Sequence, residues 1–263
     1  MKWTSEAEAS IKKVPFFVRK KVRARVEKEA SAAGKKMVCI EDVKATQKRY
    51  LSKMSSEVKG YQVDICFGPS GCPNRASKGD HLLKKIEQFL EKEDLLGFLK
   101  QRVKGDLKLH HEFRVSLAEC PNACSQPQIK DIGIIGAVVP KITDEDCTLC
   151  EVCVEECPEK CISIEAGAEK PEIDFGRCLK CAKCVHVCPT GTIEAERKGY
   201  RVQLGGKLGR HPRLATELDG IFSEEEVLDI LRQCVVFYKE NSKQGERFAQ
   251  IFQGPDFLTY FHP

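Results

Sequence analysis

The sequence predicts an α+β protein made of an N-terminal helical module, an α/β domain with a mixed sheet, and a small cysteine-rich module inserted into that domain. Three observations predict this class. Apolar residues recur at helical spacing near the amino end, alternating strands lead into pairs of cysteines, and one four-cysteine run occurs twice, 31 positions apart. The expected boundaries are residues 1–58 for the helical module, 59–141 with 197–263 for the α/β domain, and 142–196 for the inserted module.

The helical module is predicted from residues 5–33 and 41–54. We expect Ser5 to cap the first helix and Pro15 to lie near the first turn of the second. The apolar stripe of the second helix consists of Phe17, Val18, Val22 and Val26.

The α/β domain is predicted from apolar or alternating segments at 60–66, 113–117, 129–139 and 200–204. Asp80 is the expected cap of a helix behind the first strand, and Ser223 with Glu226 forms a capping box at the start of a later one. A short aromatic tail, residues 257–261, closes the chain.

The composition excludes several classes of protein. No apolar run among the 263 residues approaches the roughly 20 residues of a membrane span, and the first residues lack the apolar core of a secretory signal. Fifteen cysteines without such a signal indicate metal binding in a reducing compartment rather than disulfides. We therefore expect a cytoplasmic protein from an anaerobic setting.

Charge is distributed unevenly along the chain. Residues 1–60 contain 16 Lys and Arg against 7 Asp and Glu, whereas residues 144–174 contain 11 Asp and Glu against 2 Lys. No nucleic-acid motif accompanies the basic end, so the favoured interpretation is a solvated helix surface and no nucleic-acid partner. A contact between the basic end and the acidic region, within or between chains, is the alternative.

The repeated cysteine run has the spacing of a two-cluster ferredoxin, in which three close cysteines bind one [4Fe–4S] cluster and the fourth, before proline, binds the other. One predicted ligand set is Cys147, Cys150, Cys153 and Cys188. The other is Cys178, Cys181, Cys184 and Cys157. Zinc, the alternative, favours separated pairs in a tetrahedral site. The region resembles bacterial-type two-cluster ferredoxins, which are small modules of the βαβ type.

Two further cysteine pairs follow predicted strands, namely Cys66 with Cys72 and Cys120 with Cys124. Open α/β sheets bind ligands beyond the carboxyl ends of their strands, so both pairs lie where a ligand is expected. Of the remaining cysteines, Cys234 and Cys161 are expected in the core, and Cys39 has no assignment.

The segments 65–72 (ICFGPSGC) and 118–124 (AECPNAC) resemble the two cluster-binding segments of sirohaem sulfite and nitrite reductases. The similarity continues through 129–136 and 204–214 and covers roughly residues 60–141 and 197–253. A ferredoxin module inserted at this point is similar to the arrangement in dissimilatory and anaerobic sulfite reductases.

The resemblance implies a third [4Fe–4S] cluster on Cys66, Cys72, Cys120 and Cys124, with the Cys124 thiolate also serving as axial ligand of sirohaem iron. It also implies that the carboxylates of sirohaem meet cationic and N–H donors. The candidates are Lys207, Arg210, Arg213, Asn74, Arg75 and Asn122. For the three basic residues of 207–213, an ordinary solvated loop is the alternative.

Residues 14–23 resemble a helical module of light-independent protochlorophyllide reductase, another enzyme of tetrapyrroles; this is an analogy at the level of fold. The module stands where sulfite reductases have a half-domain that binds the substrate anion. No anion-binding residue is therefore carried over to this chain.

The sequence thus predicts a sulfite reductase-like oxidoreductase with three [4Fe–4S] clusters and sirohaem. Electrons are expected to pass from the ferredoxin-type clusters through the third cluster to sirohaem, for the six-electron reduction of sulfite to sulfide. The expected partners are the anion, an electron-donor protein, and further subunits of a homo- or hetero-oligomer. Nitrite is the rival substrate. The rival functions are a non-catalytic electron-transfer subunit with a degenerate sirohaem fold and a protein that acts on tetrapyrroles.

Overall fold

The computed structural model describes residues 1–252 and residue 254, except for the side chains of residues 51–55. It forms two compact units, one of Met1–Val58 with Gly105–His110 and one of Lys59–Lys104 with the chain from His111 onward. The predicted aromatic tail at 257–261 lies outside the described residues. No helix in the described part of the chain is long and apolar enough to cross a membrane.

The first unit is helical, as the sequence predicts. Its elements are β1 (Lys2–Trp3), α1 (Ser5–Lys12), α2 (Phe16–Ala32), β2 (Met37–Val38) and α3 (Ile40–Ser56). The two short strands pair in parallel. The unit packs around a small core of Ala7, Val26, Ala30, Val38 and Val43.

Two expectations about the first unit are wrong in detail. Thr4, not Ser5, caps α1, because Thr4 has the extended backbone of a cap residue and its hydroxyl accepts a hydrogen bond from Ala7 N at 3.3 Å. Phe17 does not belong to the buried stripe of α2 but is 74% exposed, because that helix turns Val26 and Ala30 towards the core.

The second unit is built on a five-stranded mixed sheet with the order β3-β4-β5-β8-β9. Its strands are β3 (Tyr61–Ile65), β4 (Phe113–Ala118), β5 (Ile132–Ile142), β8 (Ile193–Leu204) and β9 (Thr216–Glu217). A separate two-stranded sheet consists of β6 (Ile162–Ser163) and β7 (Glu172–Ile173). The helices are α4 (Asp80–Lys92), α5 (Leu95–Arg102), α6 (Val152–Glu156), α7 (Lys183–Val187), α8 (Glu224–Asn241) and α9 (Phe248–Ile251). The predicted α+β class with a mixed sheet is confirmed.

Strand register determines where the cysteine segments emerge. Strands β3, β4 and β5 are parallel, and Ile65 pairs with Leu117, so β3 and β4 end at the same edge of the sheet. Strand β8 returns antiparallel to β5 and ends with Leu204 beside Ile132, the first residue of β5. The segment after β8 therefore begins at the opposite edge from the segments after β3 and β4.

The core of the second unit lies between the sheet and the helices α4 and α8. It contains the aliphatic side chains of α4 and α8 together with Phe113, Tyr238, Phe248 and Phe252. Phe113 lies 5.4 Å from Tyr238 and 5.6 Å from Phe248, measured between ring centroids. The predicted capping box at the start of α8 is confirmed, since Ser223 and Glu226 bond each other's backbone N–H.

The start of α4 differs from the prediction. Asp80 is the first helical residue and not the cap, and Gly79 precedes it. The Gly79 N–H donates to the carboxylate of Glu119 at 2.6 Å. This bond holds the backbone at Gly79, so the helix begins at the next residue and Asp80 lies inside its first turn.

The packing of α8 predicts that substitutions on its buried side lower the free energy of unfolding much more than substitutions on its exposed side. Leu231 is fully buried, whereas Val236 is 53% exposed on the same helix. We expect Leu231→Ala to lower the free energy of unfolding by about 2–5 kcal/mol, because it removes apolar contacts and leaves a cavity. Val236→Ala, the control, is expected to change it by less than about 0.5 kcal/mol. Urea unfolding measures both; equal effects would contradict this packing.

Candidate metal centres

The inserted segment between β5 and β8 contains two cysteine-lined cavities. The outer cavity is lined by Cys147, Cys150, Cys153 and Cys188. The inner cavity is lined by Cys157, Cys161, Cys178, Cys181 and Cys184. Each cavity thus contains three cysteines of one run and the fourth cysteine of the other, which is the grouping that the sequence spacing predicts.

The two cavities repeat one local structure. The left-handed residues Leu149 and Glu151 recur 31 positions later as Lys180 and Ala182. These turns let the chain wrap back on its own cysteines: Leu149 N donates to Cys147 Sγ and Lys180 N to Cys178 Sγ, both at 3.4 Å. A short helix follows each turn, α6 in the first run and α7 in the second.

The crowding of thiols affects their ionisation. Burial, followed by the neighbouring Cys178 and Cys181 thiols, raises the pKa of Cys184 to about 12. Burial also raises the pKa of Cys153, and its neighbours Cys188 and Cys147 raise it further. Sets of thiolates that repel one another are stabilised by a cationic metal centre, so both donor sets fit an iron–sulfur cluster.

The remaining four predicted ligands lie beyond the ends of β3 and β4. We call Cys66, Cys72, Cys120 and Cys124 the strand-end site. Burial raises the pKa of Cys120, and Asn122 N–H lowers it. The thiols of Cys66, Cys124 and Cys72 raise the pKa of Cys120 again, so the other three cysteines lie close enough to act on it.

The strand-end site is closely held by backbone hydrogen bonds. Cys66 Sγ accepts from Gly68 N at 3.4 Å and from Glu119 N at 3.3 Å. Cys72 N donates to Gly68 O at 3.2 Å, which closes the loop between the first two cysteines. Hydrogen bonds to sulfur are a means by which proteins tune iron–sulfur clusters, so this donor set also fits such a cluster.

Buried Glu119 connects the segments of the strand-end site. Its side chain is 1% exposed, and its carboxylate accepts from Gly79 N at 2.6 Å and Arg75 Nη2 at 2.8 Å. The Glu119 carbonyl also accepts from Ala76 N at 2.8 Å. A Cβ at Gly68 would overlap the Glu119 carboxylate, so a larger residue there would have to displace that side chain. The sequence pattern does not reveal this role of Glu119.

Cys124 differs from its three partners because it is exposed, whereas Cys120 is buried and Cys66 and Cys72 are half-buried. The side chain of Phe67, which follows Cys66 in the chain, is 80% exposed. The site therefore presents a thiol and an aromatic ring to its outer surface.

The six candidates for carboxylate binding fall into two groups. Arg75 pairs with Glu119 and Asp80, and its hydrogen bond to Glu119 raises its pKa. The Arg213 guanidinium donates to the carbonyls of Gly205, Ala249 and Phe252. Both arginines therefore donate their N–H groups to acceptors within the protein.

The side chains of the other four candidates are at least partly accessible to a ligand. Arg210 and Asn122 are exposed, and Asn74 and Lys207 are half-buried. The segment of Lys207 and Arg213 is a backbone hairpin, with reciprocal bonds of 2.9 Å. The next residues contact the chain that follows Cys124, because Ala215 N donates to Gln128 O at 2.8 Å.

Strand β5 connects the inner cavity with the strand-end site. Val138 N donates to Lys180 O at 2.8 Å, beside Cys181. Two residues earlier, a Cβ at Gly136 would lie 2.6 Å from the Glu119 carbonyl, so the backbones touch there. The inner cavity is thus linked to the segment of Cys120 through β5, whereas the outer cavity is bonded just beyond the far end of that strand, where Thr143 N donates to Thr192 O at 2.8 Å.

Three remaining cysteines are placed as follows. Cys234 is fully buried, as predicted. Cys39 Sγ donates to Asp42 Oδ2 at 3.0 Å at the start of α3. Cys161 is buried, as predicted, but it also lines the inner cavity.

In the described part of the chain, no three Cys, His, Asp or Glu side chains lie close enough together to be the ligands of a single metal ion. The candidate metal centres are therefore identified by the residues that line the cavities and by the strand-end cysteines.

Comparison with known proteins finds two families. Residues 62–254 match the family described as nitrite and sulphite reductase 4Fe-4S domain. Residues 3–47 match the family described as proto-chlorophyllide reductase 57 kD subunit.

Individual relatives agree with these matches. Coenzyme F420-dependent sulfite reductase of Methanocaldococcus jannaschii is 37% identical over 145 residues, which are 54% of this chain and 23% of that protein. A light-independent protochlorophyllide reductase chain of Pelodictyon phaeoclathratiforme is 56% identical over 41 residues, 16% of this chain and 8% of that protein. The chain therefore spans less than a quarter of the length of either relative.

The crystal structure of dissimilatory sulfite reductase I resembles this fold with a TM-score of 0.52. The two chains are 17% identical, and the match covers 81% of this chain and 56% of that one. At this identity the likeness shows the fold alone.

Removal of the Glu119 carboxylate is expected to loosen the strand-end site. Glu119→Ala leaves Arg75 and Gly79 N–H without their main acceptor, so we expect the free energy of unfolding to fall by about 3 kcal/mol. Asp80→Ala, the control, removes the exposed partner of the same arginine and should cost less than about 1 kcal/mol. Urea unfolding compares the two variants, and similar losses would show that Glu119 has no special role.

Proposed function

Because the chain belongs to the nitrite and sulphite reductase 4Fe-4S family, we propose that it is an iron–sulfur and sirohaem oxidoreductase that reduces sulfite to sulfide. The observation that carries the proposal is the grouping of twelve cysteines into three sets of four, one of which lies at the strand ends within the matched region. Sulfite is preferred to nitrite because the curated relative that matches this domain is a sulfite reductase.

Each set would hold one [4Fe–4S] cluster. The outer cavity offers Cys147, Cys150, Cys153 and Cys188. The inner cavity offers Cys157, Cys178, Cys181 and Cys184. The strand-end site offers Cys66, Cys72, Cys120 and Cys124. When bound, the clusters would supply one-electron carriers and sirohaem the iron at which sulfite is reduced.

The residues of the chain have separate tasks in this proposal. Cys124 would be the thiolate shared by the third cluster and sirohaem, a role that its exposure supports. Lys207, Arg210, Asn74 and Asn122 would bind the carboxylates of sirohaem. Arg75 would act indirectly, by holding Glu119 and thereby the cysteine loops.

The connections between the metal centres support one order of electron transfer. The inner cavity is joined to the Cys120 segment through Val138 and Gly136 of β5. Cys150 of the outer cavity is exposed, whereas Cys181, its counterpart in the inner cavity, is half-buried. We infer that an electron-donor protein would act at the outer cavity and that the inner cavity would serve the strand-end site.

The electron-transfer subunit is the second candidate. Its support is that Arg75 and Arg213, two of the four cationic candidates, are engaged in internal hydrogen bonds. Such a protein would bind the clusters without sirohaem.

The main proposal also includes the domain boundaries at residues 58, 141 and 196, an oligomeric assembly and a separate electron-donor protein.

Purification without oxygen tests the cofactor content. We expect about twelve irons per chain, four for each of three clusters, together with a sirohaem Soret band in the visible spectrum. About eight irons without a haem spectrum would contradict the reductase and favour the electron-transfer subunit.

Cys124→Ala tests the shared thiolate. We expect the Soret band to be lost and the sulfite-dependent oxidation of reduced methyl viologen to fall by about a hundredfold or more, since even the partners of metal ligands are worth 10–100-fold. Cys39→Ala, the control, removes a thiol of the first unit and should leave both readouts unchanged. An unaltered spectrum and rate in Cys124→Ala would refute the assignment. Nitrite in place of sulfite distinguishes the two substrates.

A further inference from the structure

The inner cavity contains one thiol more than a cubane cluster needs. Cys161 is 6% exposed and lines the cavity together with the four predicted ligands. Its Sγ lies 3.4 Å from Cys157 Sγ, and its backbone N–H donates to the same sulfur at 3.5 Å. A movement of a few ångströms would therefore put the Cys161 sulfur where the Cys157 sulfur is.

The internal repeat supplies a matched comparison. The counterpart of Cys157 in the second run is Cys188, and the counterpart of Cys161, 31 positions on, is Thr192. Thr192 is fully buried and lines the outer cavity. Its hydroxyl donates to Asp146 O at 3.1 Å and lies 2.7 Å from the Thr190 hydroxyl. The same position thus carries a thiol in one cavity and a hydroxyl in the other.

We propose that Cys161 is a reserve ligand that can replace Cys157 on the iron–sulfur cluster of the inner cavity. The proposal rests on the proposed function only in assuming that this cavity holds a cluster. Thr192 gives the outer cavity no equivalent, because a neutral hydroxyl held by backbone carbonyls is a much poorer iron ligand than a thiolate.

The exchange is balanced without a further reactant. The bond between iron and Cys157 Sγ breaks, and a bond between iron and Cys161 Sγ forms. The proton of the Cys161 thiol passes to the Cys157 thiolate, which lies within hydrogen-bond distance. No electron is transferred, and the charge of the cluster with its four thiolates stays the same.

Two alanine variants of the full-length protein test the proposal. We expect Cys157→Ala, purified without oxygen, to keep the iron and acid-labile sulfide content of the wild type. Cys188→Ala, its counterpart in the outer cavity, should lose about four irons per chain. The double variant Cys157→Ala with Cys161→Ala should also lose about four irons.

The outcomes separate this inference from the proposed function. Equal iron loss in Cys157→Ala and Cys188→Ala would overturn the reserve ligand while leaving the clusters themselves in place. A wild-type protein without ferredoxin-type iron would instead overturn the cluster assignment. Iron counts and native mass spectrometry read both results without any measurement of activity.

A gain-of-function variant decides the question if Cys157→Ala does not fold. Thr192→Cys, introduced together with Cys188→Ala, gives the outer cavity the thiol that the inner cavity has. We expect this double variant to regain the four irons, about one cluster, that Cys188→Ala loses. Regained iron supports the reserve ligand, and a content equal to that of Cys188→Ala alone overturns it.

Discussion

The buried carboxylate of Glu119 holds together the chain segments that carry the strand-end cysteines. A carboxylate with 1% exposure is stable only when it is paired and hydrogen-bonded, and here Arg75 and Gly79 N–H provide those contacts. The same residue donates its backbone N–H to Cys66 Sγ and precedes Cys120 in the chain. One side chain thereby couples the loop after β3 to the loop after β4, and the four thiols keep their positions without a covalent link.

The long pair of β5 and β8 brings the inserted cavities to the edge of the sheet where those loops lie. Ala118, the last residue of β4, pairs with Ile135, and β5 continues for seven residues beyond that point, a length of about 23 Å. The inserted segment follows at the end of this extension. Its inner cavity is bonded back to Val138, and Gly136 lets β5 touch Glu119. The position of the insertion thus explains why one cavity is linked to the strand-end site.

The parts of this site that the sequence predicts are those set by local spacing. The repeated cysteine spacing predicts that Cys157 joins the cysteines of the second run and that Cys188 joins those of the first. The alternating strands predict where the strand-end cysteines lie. Glu119 could not be found in this way, because its partners lie 40 to 53 positions away. Cys161 did carry a signal, its repeat counterpart Thr192, but its position just after the first cysteine run suggested an ordinary core thiol.

The basic candidates show the limit of charge patterns most clearly. A lysine or arginine can bind an anionic group only with donors that the fold leaves free, and sequence does not reveal which those are. Arg213 gives its guanidinium to three backbone carbonyls and so closes the hairpin onto α9. Ala215, which follows the hairpin closely, donates to Gln128 O in the segment between Cys124 and β5, so the hairpin that carries Lys207 and Arg210 is anchored to that segment. A structural arginine therefore positions the cations that remain available, which is why a basic loop of this kind can serve a binding site although one of its charges is already used.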